Sequence, residues 1–340
     1  MPSQLHMMGG PTREPGGWLV SLSTIVALSA VIGGIELVLA PGGSTYVSAE
    51  LLRQTPFETF LVPGLLLLAT VGVTAMASAV LLVRRSPVAL DAAMLAGGMI
   101  VGWIMAELAV TRTFQISHAA HAALGLSLLG LAARTALRAG DRRHRWFLIV
   151  TAMEALGFLA PALTGVLLQR LGASEATLAL WVSLAGFVEG WCLGMGQARA
   201  LPVQVARWRF AMLSGLAAMA VWALVMGAMV MTQAGASIPM VIAIPAGALC
   251  LGAIGGAQWF ELRRHAARAY RWVFWSAVAW AVALPLSFLP GPLVDEATPL
   301  ANQIVLWACG GCLMAYAMTA ITWQGVRRLW PTASAAPATV

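Results

Sequence analysis

Apolar residues in this chain gather into blocks of about twenty, and polar residues and arginines collect in the short gaps between them. A block of that length crosses a hydrocarbon core of about 30 Å at about 1.5 Å of rise per helical residue. Ten such blocks are readable, at 17–40, 60–83, 88–111, 116–138, 146–168, 176–198, 209–232, 238–260, 272–289 and 300–323. Backbone groups in lipid must find partners within their own segment, so runs this long are read as helices. The first block is too long for a removed signal peptide and lacks a small-residue cleavage site, so it is expected to be retained. The pattern predicts an all-α, polytopic integral membrane protein of about ten transmembrane helices.

Composition agrees with the pattern. Of the 340 residues, 60% are hydrophobic and 10% are charged, and the mean hydropathy is +0.84. Ordinary soluble domains carry about a quarter charged residues, which excludes that class.

Charge then gives the chain a direction. All twenty basic residues are arginine, and seventeen of them fall before the first block or in the gaps after even-numbered blocks. Only Arg53, Arg112 and Arg170 lie on the other side. The positive-inside rule assigns the arginine-rich side to the cytoplasm, so both termini are expected there, in a bacterial inner membrane. The net charge of +7 follows from this topology. Arginines that flank apolar helices form no basic soluble face, so the partner is a lipid bilayer and nucleic acid is not one.

One ending recurs three times: GFVEGWCLGMGQARAL with Gln197, GAIGGAQWFELRR with Gln258, and AYAMTAITWQGVRRL with Gln324. Each is preceded by an arginine- and tryptophan-bearing start, at Trp146, Trp208 and Trp272, with Trp-to-Gln separations of 51, 50 and 52 residues. This regularity predicts three tandem, parallel helical hairpins. Tryptophan and arginine suit the membrane interface, and glycines let helices approach closely. The three glutamines are read either as hydrogen-bonding helix glue or as a ring lining a cytoplasmic vestibule. Glu261 breaks the pattern, having no acidic counterpart after Gln197 or Gln324.

The first four blocks lack the Trp-to-Gln unit, and RTALRAGDRRHR separates them from the rest. The expected organisation is a tail at 1–16, a four-helix module at 17–142, a six-helix module of three hairpins at 143–330 and a disordered tail at 331–340. In the long outer loop, a short interfacial helix is expected around Ser48 to Arg53.

TPFETFLVPGLLLL, followed by a helix ending LLVRR, resembles a widespread group of small four-helix bacterial membrane proteins of unassigned function. GAIGGAQWFELRR is similar to the endings of uncharacterised bacterial hairpin-repeat membrane proteins. These resemblances imply a fusion of two membrane modules and carry no catalytic residues with them.

Titratable residues inside a membrane are costly and are therefore the functional candidates. Glu36, Glu107, His118 and His121 all fall at the outer level of the first module, and two histidines one turn apart with carboxylates nearby could hold a divalent transition metal. The competing reading is interhelical hydrogen bonding. Glu154 and Glu189 lie eight residues past Trp146 and eight before Gln197, at matched depth in one hairpin. A facing pair there could share a proton, as a proton-coupled carrier requires. The cysteines at 309 and 312 have redox spacing, CGGC, but no thioredoxin-like context, and close packing of small residues is the preferred reading. No phosphate-binding glycine loop, nucleophile elbow or soluble catalytic domain is present, and no cofactor is specified. Three functions stay open: small-molecule or proton-coupled transport, a metal- or haem-binding or redox membrane enzyme subunit, and a non-catalytic membrane partner subunit or assembly factor.

Overall fold

The structure is a computed structural model that describes residues 17–44, 47–53, 55–291, 294 and 298–331. The cytoplasmic tail expected at 1–16 lies outside the described residues, as does the disordered tail expected at 331–340 apart from Pro331. Among the described residues the fold is entirely helical. The long helices are α1 (Gly17–Leu39), α2 (Leu61–Val83), α3 (Ala89–Thr111), α4 (Ile116–Arg138) and α5 (Arg142–Arg170). They continue with α6 (Glu175–Ala200), α7 (Arg207–Gln233) and α8 (Met240–Leu262), then α9 (Tyr270–Ser287) and α10 (Leu300–Leu329).

Nine of these, all but α9, are long and apolar enough to cross a membrane. A lipid bilayer is therefore the environment of the chain. Helix α9 is 18 residues long and dilutes its apolar run with Arg271, three tryptophans and Pro285. The N-terminus of α5 starts four residues before the expected Trp146, because Asp141 caps it, its Oδ1 accepting from the Arg143 backbone N–H at 2.7 Å. Between α1 and α2, the expected interfacial helix is a single 3-10 turn, Ala49–Leu52, whose first turn is held by Ser48.

The chain divides at Ala139/Gly140 into two compact units. In the first, α1 packs on α2, α3 and α4, and α3 packs on α4. Gly97 and Gly125 let α3 and α4 touch backbone to backbone: a Cβ at Gly97 would lie 2.8 Å from the Gly125 carbonyl oxygen. Helix α2 takes a π turn at Leu68–Gly72.

The second unit is a ring. Each helix from α5 to α10 packs on the next, and α10 returns to α5. Its tightest seam joins α6 to α7, where Gly186, Gly190 and Gly194 form a stripe against which Trp222, Ala218 and Ser214 are seated. In lipid no hydrophobic force draws helices together, so such close approach and its dispersion contacts hold the seam.

Candidate functional site

Inside the ring lies a cavity of about 1020 Å³, walled almost wholly by apolar and aromatic side chains of all six helices. Among the described residues, Glu189 is the one carboxylate on that wall. Its placement follows from two glycines. Gly186, one turn earlier on α6, leaves the space that the Trp222 indole fills, and Trp222 Nε1–H then donates to Glu189 Oε2 at 2.7 Å. Gly157 on α5 brings that helix against the Glu189 backbone: a Cβ there would lie 3.0 Å from the Glu189 Cα.

Glu154 sits one turn before Gly157 on α5, behind Glu189 and off the cavity wall. It is fully buried, and among the described residues neither carboxyl oxygen has a hydrogen-bond partner. Gly157, one turn further along α5, is the point at which that helix meets the Glu189 backbone. The structure thus brings Glu154 and Glu189 together across α5 and α6. A lone carboxylate in such a place costs several kcal/mol, and either a proton or a bound cation removes that cost.

One turn from the cavity residues Leu193, Ala218 and Ile254 stand Gln197, Ser214 and Gln258, which close the arginine-bearing end of the ring. Gln258 Nε2 donates to Gln197 Oε1 at 2.7 Å and to Ser214 Oγ at 2.9 Å, and its Oε1 accepts from Trp272 Nε1–H at 2.6 Å. Trp146 meets the Trp272 ring edge-on at 6.0 Å and donates from Nε1 to the Thr319 carbonyl. All of these side chains are buried. They form a hydrogen-bonded floor to the cavity.

The floor corrects two expectations. A ring of three glutamines is not formed, since Gln324 is half-buried and makes no hydrogen bond among the described residues. Nor do Trp146 and Trp272 anchor at the interface; each indole N–H has an acceptor inside the ring. Of the three motif tryptophans, Trp208 alone is exposed, at 66%, set edge-on to Trp191. The buried aromatic at that place on α7 is Phe210, two residues on. Glu261 lies just outside the floor, buried, with Arg209 Nε at 3.5 Å and Arg264 Nη1 at 3.8 Å.

The expected metal cluster of the first unit disperses. His118 and Glu107 do meet, Nε2 to Oε1 at 3.3 Å. Because His118 Nδ1 accepts from the Gln115 backbone N–H, Nε2 carries the proton and faces Glu107. His121 turns elsewhere. Its Nδ1–H donates to the Ser117 carbonyl, leaving Nε2 to accept from Ser29 Oγ–H at 2.6 Å. Glu36 accepts from Ser44 Oγ–H at 2.5 Å. Among the described residues no three His, Cys, Asp or Glu side chains converge on a point that could bind a metal. In CGGC, both cysteines are free, while Gly310 packs on Ser287 and Pro290, and Gly311 on Phe158.

Trp222, Ser214 and Gly186 were not picked out from the sequence. Trp222 carried a usable signal: an indole deep in an apolar helix must find an acceptor for its N–H. Comparison with protein families, with curated proteins and with solved structures returns no match for this chain.

Proposed function

We propose that the second unit is a proton-coupled carrier of small molecules, with Glu154 and Glu189 as its exchanging acids. One observation carries this reading: a fully buried carboxyl without a hydrogen-bond partner, Glu154, stands beside a second carboxyl, Glu189, that lines a large cavity. A structural acid would be expected to hold bonds to its neighbours, whereas Glu154 holds none among the described residues. The closed floor supports the same reading, since a carrier must seal one end of its cavity while the other admits substrate. In this reading α9 is a tenth transmembrane helix, the six helices are three tandem hairpins, and Phe210 takes the place of Trp146 and Trp272 in the middle one. The arginine-bearing floor then faces the cytoplasm of a bacterial cell, as do both termini. The two resemblances, to small four-helix proteins and to hairpin-repeat proteins, fit a fused pair of modules.

The test is transport by the full chain in proteoliposomes under an imposed pH gradient. Glu154→Gln and Glu189→Gln keep side-chain shape while removing the exchangeable proton. Both variants should insert normally and lose gradient-driven accumulation. Parent-like behaviour of both would leave the acids without a part in transport and sink the carrier reading. The metal-enzyme alternative draws no support from the dispersed His/Glu residues.

A further inference from the structure

We propose that the cavity of the second unit takes a lipophilic organic cation, a bulky apolar or aromatic body bearing a protonated amine or a quaternary centre. This deepens the carrier reading above and rests on it. The volume, about 1020 Å³, lies at the upper end of the roughly 300–1,000 Å³ of small-molecule sites. A sugar, nucleotide or amino acid would strand its polar groups against this wall. An apolar body would not.

Charge selects further. Among the described residues lining the cavity there is no arginine, lysine or histidine, and Glu189 is the one acid. An anion would therefore meet a carboxyl and no counter-charge. A cation would meet Glu189, whose Oε2 is committed to Trp222 while its other oxygen is left for the ligand. Trp222, Trp280 and Trp307 add indole faces, which attract cations through the ring quadrupole. When one cation binds, one proton held by the two carboxyl groups leaves to water, so charge in the site is conserved.

The route of entry fits the same chemistry. From Met240 to Leu249, α8 is exposed on every side, yet it supplies Ile242, Ala243, Ala246 and Gly247 to the wall. This thin partition leads sideways to the bilayer, where lipophilic cations accumulate.

The experiment uses the purified full chain in nanodiscs with two probes of matched size and opposite sign, tetraphenylphosphonium and tetraphenylborate. Binding is read by tryptophan quenching, and proton release by a pH indicator in weakly buffered solution. The phosphonium should bind at least about tenfold more tightly than the borate, a difference of about 1.4 kcal/mol. Glu189→Gln should erase that preference. Trp222→Phe, which keeps the acid, should weaken phosphonium binding while preserving the preference, and guards against a misfolded Gln variant. Equal binding of the two ions, a preference that survives Glu189→Gln, or retained lipid that neither probe displaces would overturn the substrate class. Selective phosphonium binding without proton release would instead uphold the cation site and overturn the exchange.

Discussion

Replacing Glu154 by leucine sets the two acids against each other. Glu154 is fully buried with neither oxygen hydrogen-bonded among the described residues, so the change removes no bond and no ion pair. A neutral polar group left unsatisfied in an interior costs about 1–3 kcal/mol, and an apolar side chain of similar bulk carries no such cost. The Glu154→Leu protein should therefore be more stable than the parent by about 1–3 kcal/mol. Glu189→Leu should move the other way, since it strands the Trp222 N–H and loses a bond worth about 0.6 kcal/mol on average and up to about 1.7 kcal/mol in membranes. Reversible unfolding in mixed detergent micelles, followed by far-UV circular dichroism, measures both signs in one series. Transport under a pH gradient should be lost in both variants. A Glu154→Leu protein that unfolds more easily than the parent by about 1 kcal/mol or more would refute the reasoning, because a residue whose loss costs that much was making bonds.

Gln258→Leu breaks three hydrogen bonds and should cost about 2 kcal/mol in the same unfolding assay at the membrane average per bond, while Gln324→Leu should leave stability within about 0.5 kcal/mol; equal effects would refute the asymmetric floor. Gly186→Ala puts a methyl group into the Trp222 ring and should destabilise by about 1–3 kcal/mol while shifting tryptophan emission as the bond to Glu189 breaks; unchanged emission counts against the placement of that indole. Reporter fusions after Arg145 and Arg268 should read cytoplasmic and those at Gly235 and Asp295 external, and a cytoplasmic signal at Asp295 would remove α9 from the set of spans. Protein purified without chelator should carry no stoichiometric divalent metal, and a metal lost on His118→Ala with His121→Ala would show that the dispersed first-unit donors can regroup.

Read along the sequence, long apolar runs and their arginine-bearing gaps are enough to say that this is a helical membrane protein and to locate its helices within a few residues. Both are one-dimensional properties, since a run either is or is not long enough to cross a bilayer. The depth of Glu154 and Glu189 was legible for the same reason, because depth is counted along an axis. Rotation about that axis was not. A step of two residues turns a helix by about 200°, which separates Trp208, exposed, from Phe210, buried, though both stand at nearly the same height. The same uncertainty hid which glutamines meet: Gln197 and Gln258 point into the floor, while Gln324 stays half-buried without a hydrogen bond among the described residues. It also set Glu36 and His121 apart from the Glu107–His118 pair, Glu36 turning to Ser44 and His121 to Ser29. The facing of Glu154 and Glu189, and the cavity that Glu189 lines, were decided by Gly157, Gly186 and the indole of Trp222. Those contacts form between one helix and the next, and no periodicity within a single helix specifies them.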